Sequence, residues 1–569
     1  MADKQDLVFV PLGGVGEIGM NIALYGYGPP RKRKWIVVDV GVTFPGPDLP
    51  GVDLVLPDIT FAKKVRKDIE GIVITHAHED HYGALLSLWS QLRVPVYCTP
   101  FAAGMLESKR TSYGDGPDEL PVETFKAGDR FDVGPFEIEA VHVTHSIPEP
   151  CSLVIRSPLG NVLHTGDWKL DPEPAIGAPT DEERFRELGD EGILALICDS
   201  TNAMRDGVSP TEQDVGEGLA DVISEAKGRV FVTTFSSNVG RIRSIAEAAQ
   251  KNGRKVLIMG RSLMRVSEVA DENGYMEGLQ PFLSPDDFGR TPRNKIVCIL
   301  TGSQGEDRAA LARLSRDDHP FAKISAGDVV VFSSRTIPGN ERPILEIKNG
   351  LIEQGVGLVE ADERTIHVSG HPRIGELQTM YGWVRPQIGV PVHGEPAHLS
   401  AQARLMADAE VPTVLPVRNG DVTRLAGGDP EIIGTVPNGR VFKDGNLIGN
   451  EQEVGVKERR VLSYVGHIVM SVVLSSDGDI VGDPDLLSYG TPERDAKGVD
   501  FEDVMFDAAM GAFEGLPVKK RRDADVVENA MQRAIRSEAR QVWGKKPIVT
   551  VFVTTLPRAE GGRGGGRRG

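Results

Sequence analysis

A chain of 569 residues with 40% hydrophobic and 26% charged side chains has the make-up of an ordinary soluble globular protein, and at roughly 150 residues per domain it predicts three or four domains. No run approaches the roughly eighteen apolar residues of a bilayer span, and no basic segment precedes an apolar one at the start, so neither a membrane segment nor a signal peptide is expected and the predicted location is cytoplasmic. A formal net charge of −18 argues against sequence-blind coating of nucleic acid by the whole surface, but it leaves room for a local basic groove floored by divalent cations.

Residues 7–12 read as a strand, followed by a turn in which Gly14, Gly16 and Gly19 satisfy GxGxxG, with Asp39 about twenty residues on, as in a dinucleotide fingerprint. The intervening segment rejects that reading. A dinucleotide-binding unit needs a helix of about ten or more residues there, whereas 22–25 and 35–39 are short strands joined by a Gly, Pro and basic turn. The glycines are therefore expected to serve a tight turn beside a hairpin.

The strand at 71–75 runs into Thr75-His76-Ala77-His78-Glu79-Asp80-His81. Side chains two apart in an extended segment share a face, so His76 and His78 point the same way. Apolar residues at helical spacing over 82–89 put Asp80 and His81 near a helix N-terminus. Imidazoles mixed with a carboxylate suit zinc or manganese better than calcium or magnesium.

Strands continue at 94–98, at 136–143 leading to His145, and at 161–168 carrying Asp167, with helices at about 80–92 and 101–112; the alternation indicates an α/β sandwich. From about residue 211, longer helical patterns at 215–226, 242–251 and 308–313 alternate with strands at 229–234 and 255–259. This predicts an inserted parallel α/β domain. A helix at 376–384 and a strand at 387–392 ending on His393 restore the earlier pattern of an apolar strand that delivers a ligand.

The predicted organisation is a first domain over 1–207 that resumes at 371–425, an insertion over 208–370, a linker over 426–460, a small α+β domain over 461–556, and a disordered Arg/Gly tail over 557–569. Cys98, Cys151, Cys198 and Cys298 lack CxxC spacing and are expected to be reduced, mostly buried thiols. His142, His164, His319, His398 and His467 fit no pattern and read as structural or surface residues.

The His-x-His-x-Asp-His run followed by His145, Asp167 and His393 resembles the metallo-β-lactamase superfamily. The insertion, with Asp199 in Cys198-Asp199-Ser200-Thr201-Asn202 before it and His371 in His367-Val368-Ser369-Gly370-His371 at its end, is similar to the β-CASP branch of nucleases. Within that branch, residues 7–556 resemble the ribonuclease J family through the motifs at 13–21, 75–81, 199–203, 338–341 and 390–395.

The resemblance implies an α/β protein: a metallo-β-lactamase αββα sandwich with an inserted β-CASP α/β domain and a small C-terminal α+β domain. It implies two divalent ions, zinc with manganese as the alternative, one held by His76, His78 and His145, the other by Asp80, His81 and His393, with Asp167 between them. Such a pair generates a hydroxide and stabilises both oxygens of an in-line phosphodiester displacement. Asp80 would orient that hydroxide, His371 would protonate the departing 3′-oxygen, and Asp199 would hold His371. By residue type alone, Asp199 reads as a helix N-cap or turn residue.

Substrate phosphates are expected at two turns, Ser236, Ser237 and Asn238, and His367, Val368, Ser369, Gly370 and His371. The family often has a histidine before the arginine corresponding to Arg241; this chain departs from it with Gly240. Also implied are 5′-to-3′ exonuclease and endonuclease action on single-stranded RNA bearing a 5′-monophosphate, in mRNA decay and rRNA processing. So are a homodimer or homotetramer, an RNA-decay complex, and a structural calcium at Asp48 and Asp444. The alternative is a DNA-processing β-CASP nuclease, which differs in 2′-hydroxyl contacts. A small-ester hydrolase needs no clamp as long as this insertion.

Overall fold

The computed structural model describes residues 5–113, 116–117, 119–337 and 339–558; the Arg/Gly tail from 559 on and Pro338 of the 338–341 motif lie outside the described residues. The chain divides into one unit of residues 1–43 and 55–441 and a second of residues 44–54 and 442–569.

The first unit is built on two facing sheets. One is mixed and eight-stranded, with Asp6–Gly13, Ile22–Gly28, Lys34–Val38, Ile69–Val73 and Val96–Cys98 as consecutive neighbours. The other is seven-stranded and runs from Thr413–Val414 through Ile388–Val392, Ala195–Asp199, Gly160–His164, Cys151–Ser157 and Phe136–His142 to Arg130–Val133. Apolar side chains of both sheets interdigitate in one buried cluster that includes Phe9, Tyr25, Ile36, Ile138, Leu153 and Ile197. The second sheet buries its other face under helices Glu182–Glu191, Ile374–Val384 and Pro396–Asp408. Covering both faces makes the central strands continuously apolar, which is why Ala-Leu-Ile-Cys-Asp at Ala195–Asp199 is buried at all five positions.

The hairpin expected after the glycines is present: Ile22–Gly28 pairs antiparallel with Lys34–Val38, with no room for a dinucleotide helix. The glycine turn has a different role. Gly16 donates its N–H to Gly394 O and Gly14 O accepts from His393 N, so this turn braces the segment carrying His393.

The insertion is visible in strand pairing. Ala195–Asp199 and Ile388–Val392 are parallel neighbours, Asp199 opposite Val392, although nearly two hundred residues of chain intervene. Within that excursion lies a five-stranded all-parallel sheet: Lys255–Met259, Ile296–Leu300, Val230–Thr233, Val329–Phe332 and Gly357–Val359. Two of its helices begin with side-chain caps, a Thr211 and Asp214 capping box before Glu212–Glu225 and Asn238 before Val239–Lys251.

The second unit contains a three-stranded sheet, Asp485–Tyr489, His467–Leu474 and Ile548–Thr555, covered on one face by helices Phe501–Glu514 and Ala524–Val542. Val527, Met531, Ile535 and Ala539 recur every fourth residue and are buried, giving the longer helix its apolar stripe. Residues 426–460 are more structured than the expected linker. They carry strands Glu431–Thr435, Arg440–Asp444 and Leu447–Gly449 and the start of helix Val456–Val465, because hairpin pairing satisfies backbone that Gly-rich composition suggested would be loose. Asp48 and Asp444, the residues expected to hold a calcium, both have partners in the structure. Asp444 is paired with the Arg459 guanidinium, which supplies the positive charge, and Arg460 Nε donates to Asp48 O. Among the described residues neither aspartate joins a cluster of three potential ligands.

Candidate metal centre

Each candidate ligand follows an apolar strand. Ile69–Val73 delivers His76 and His78; the short helix Glu79–Tyr82 then turns Asp80 and His81 toward the same point. Phe136–His142 leads to His145, Gly160–His164 to Asp167, and Ile388–Val392 to His393. Apart from Asp80 and His78, these side chains are almost wholly buried.

Seven residues separated along the chain by more than three hundred positions meet in two overlapping groups. His76, His78, His145 and Asp167 offer one set of ligand atoms, and Asp80, His81, Asp167 and His393 another; within each set all atoms lie within 4.8 Å of one another. Asp167 belongs to both. Its Oδ2 lies 3.2 Å from His81 Nε2 and 3.8 Å from His76 Nε2, and its Oδ1 3.5 Å from His393 Nε2.

The donor atoms fit divalent cations. His78 Nδ1 faces His76 Nε2 at 3.1 Å and His145 Nε2 at 3.0 Å. A neutral imidazole has one proton, so three converging ring nitrogens cannot satisfy each other. Asp167 Oδ1 is buried without a hydrogen-bond partner, an arrangement that is costly unless a cation completes it.

The surrounding groups set the imidazole tautomers. The Thr75 hydroxyl donates to Asp39 Oδ2 at 2.9 Å, so it accepts at 3.0 Å from His76 Nδ1 and leaves Nε2 free. His81 Nδ1 donates to Asp39 Oδ2 at 2.7 Å, and His145 Nδ1 to Gly370 O at 2.6 Å. The Thr201 hydroxyl gives its proton to Asp199 Oδ1 at 2.7 Å and accepts from His393 Nδ1 at 2.8 Å. Four histidines thus commit Nδ1 to these partners and turn Nε2 inward, the orientation that ligands require. Gly370 is needed for this approach, since a Cβ there would lie 2.6 Å from the His145 ring. Asp39 and His393 both adopt left-handed backbone conformations, with φ of 61° and 52°, which places local strain at two residues of the site.

Burial and then neighbouring imidazoles push the His76 pKa well below its ordinary value, and burial drives His145 down and His78 to about 4. These rings are neutral and can act as ligands. Burial also disfavours the charged forms of His81 and His393, but Asp167 and its neighbouring carboxylates outweigh it, raising His81 and bringing His393 to about 9.

Beside this cluster stands His371, whose Nδ1 lies 2.7 Å from Asp199 Oδ2. Burial lowers the pKa of His371, yet Asp199 and then Asp167 carry it above its usual value. Asp199 does act as a turn residue, accepting from Thr201 N at 2.8 Å, while its other oxygen holds His371.

The two expected phosphate turns are partly engaged. Asn238 accepts from Arg241 N with its side-chain oxygen and is nearly buried, while Ser236 and Ser237 are half-buried. Arg241 is fully buried, ion-paired with Glu212 at 3.0 Å and donating to Ser333 and to Ile366 O immediately before His367. Its role is to pin the 366–371 loop. At Gly240 a Cβ would touch Ala175, Asn238 and Ile176.

Asp39, Thr75, Asn21, Thr201 and Asn202 were given no role by motif spacing. Asn21 donates to Asp80 O, and Asn202 Nδ2 donates to Ser369 Oγ and His371 O. A signal for Asp39 existed: Lys34–Val38 pairs in parallel with the strand that feeds His76, and it too ends on an acid. Asp39→Asn should weaken metal binding by about 10- to 100-fold, as read by titrating the folded, metal-stripped chain; unchanged affinity would exclude Asp39 as the orienting partner of His81. Of the remaining histidines, His164 bonds to Tyr25 OH at 2.8 Å behind the cluster, and all four cysteines are free and buried.

Four family models match the chain: the beta-lactamase superfamily domain over 34–182, the ribonuclease J beta-CASP domain over 227–351, a Zn-dependent metallo-hydrolase RNA specificity domain over 358–416, and the ribonuclease J C-terminal domain over 454–556. The chain is 59% identical over 556 residues to ribonuclease J of Sinorhizobium meliloti, covering 98% of each. It is 36% identical to ribonuclease J of Thermus thermophilus, covering 83% of each, and 34% identical to that of Corynebacterium glutamicum, covering 98% of this chain and 76% of the relative. A solved protein of unknown function from Enterococcus faecalis V583 shares the fold, with a TM-score of 0.52 at 15% identity over 74% of this chain and all of that one.

Proposed function

The chain belongs to the ribonuclease J family, and from that premise we propose that its His/Asp cluster is the two-metal centre of a ribonuclease that hydrolyses phosphodiesters from the 5′ end and internally. The observation that carries this reading is the pair of overlapping four-residue ligand sets sharing Asp167, with the His371 and Asp199 pair beside them. His76, His78 and His145 would hold one ion and Asp80, His81 and His393 the other, zinc or manganese, with Asp167 common to both. When bound, the ions supply an activated water and charge neutralisation at the phosphate.

The chain's own groups do the rest. Asp80, the most exposed of the carboxylates in the cluster, orients the attacking oxygen toward phosphorus. His371 gives its proton to the departing 3′-oxygen, so the products are a 5′-phosphate and a 3′-hydroxyl. Asp199 keeps His371 protonated and aims it, while Asn202 fixes the backbone of the same residue. Ser236, Ser237, Asn238 and the 367–371 loop are the proposed seat of the 5′-monophosphate, the loop being braced from behind by Arg241. No helix among the described residues is long and apolar enough to cross a membrane. We place the enzyme in the cytoplasm as a homodimer or homotetramer within an RNA-decay complex.

The test compares 5′-monophosphorylated, 5′-triphosphorylated and circular RNA with matched single-stranded DNA, with zinc or manganese supplied. Mononucleotide release from the monophosphorylated RNA together with slower internal cuts in the circle is the expected result. Cleavage of DNA in preference to RNA would instead favour the DNA-processing alternative.

A further inference from the structure

Beside the catalytic cluster, and sharing none of the residues assigned above to metal or 5′-phosphate, lies a cavity of about 480 Å³ lined by Thr201, Asn202, Met204, Arg205, Asp206, Arg335, Arg373 and His398. Its floor is the back of the site. Thr201 is bonded to His393 and Asp199, and Asn202 holds the His371 carbonyl. Three arginines converge there in a chain whose net charge is −18. Most arginines at other sites of the chain are spent on carboxylates; among the described residues, no ion pair engages Arg205, Arg335 or Arg373, and Asp206 is the one acid in the lining. Arg373 uses Nη1 on Val208 O, while its Nε is buried without a partner. His398 accepts Glu395 N at Nδ1, which leaves Nε2–H as a further donor. Met204 is 59% exposed and offers an apolar surface beside these cations.

We propose that this cavity is a second nucleotide subsite, taking a phosphate of the RNA chain on Arg205, Arg335 and Arg373 and its nucleoside against Met204. Guanidinium forks match phosphate oxygens in geometry and charge, and the volume is that of a small-ligand site. The assignment rests on the ribonuclease reading for its ligand, since a phosphate one or two nucleotides from the scissile bond would fall within reach of residues that touch Thr201 and Asn202. A released nucleoside monophosphate carries the same chemistry.

The test uses the full-length chain with Arg205→Gln, Arg335→Gln and the double variant, each checked for wild-type metal content. On 5′-monophosphorylated RNA, KM should rise about tenfold for each arginine, with kcat retained. The slope of log affinity against log salt should fall by about one per arginine. Hydrolysis of bis(p-nitrophenyl) phosphate, which has no second phosphate, should match wild type. Inhibition by uridine 5′-monophosphate that weakens in parallel would make the free product a ligand too; inhibition that does not weaken would restrict the subsite to chain phosphate. A double variant with wild-type KM and salt slope overturns the proposal. An enzyme that cut DNA and not RNA would remove the RNA reading alone, and the same comparison on DNA would still decide the subsite.

Discussion

His81→Ala should lower RNA cleavage by about 10³-fold or more and remove one of the two proposed ions. His81 is the residue at which the cluster is most tightly cross-linked. Its Nδ1 is fixed by Asp39 at 2.7 Å and its Nε2 lies 3.2 Å from Asp167, the carboxylate common to both ligand sets. Alanine removes a ligand and also leaves Asp39 buried without its imidazole. The set of His76, His78, His145 and Asp167 stays complete, so metal analysis should show about one ion per chain against the two proposed for the wild type, with little loss of secondary structure. Full activity at undiminished metal content would show that His81 is not a ligand.

His371→Ala should have the opposite signature. Turnover should fall by about 10² to 10⁴ while both ions remain, because His371 supplies a proton and not one of the seven ligand atoms. The fall should shrink with a substrate whose leaving group needs no proton, such as a p-nitrophenyl ester of a nucleotide. Asp199→Asn should fall between wild type and His371→Ala, since the amide keeps the Thr201 N–H contact but no longer favours the protonated imidazole. An unchanged rate on RNA in His371→Ala would exclude it as the acid, and loss of an ion would reassign it as a ligand. That second outcome has a geometric basis, for Asp167, Asp199, His371 and His393 also form a four-residue group of ligand size.

The ligand inventory was legible because strand ends are legible. An apolar β-branched run followed at once by His or Asp marks a buried strand that surfaces at a site, and this signal recurs at His76, His145, Asp167 and His393. The inserted domain was legible for a related reason: the pattern stopped after Asp199 and resumed before His393, and the pairing of Ala195–Asp199 with Ile388–Val392 is the structural form of that interruption. The strands within 426–460 leave no such signal, because they are short and mostly exposed and lack the apolar run on which strand recognition depends.

What the sequence determined by itself is which side chains are available and on which strand ends they sit, since both follow from local periodicity. Only the tertiary structure decided how those side chains are oriented. That Thr75 and Thr201 accept from histidines because their own protons are committed to Asp39 and Asp199, that Gly370 brings a carbonyl against His145, and that Arg205, Arg335 and Arg373 face one cavity all depend on contacts between residues far apart in the chain. Such contacts leave no spacing in the sequence, because a hydrogen bond constrains two atoms in space and not the number of residues between them.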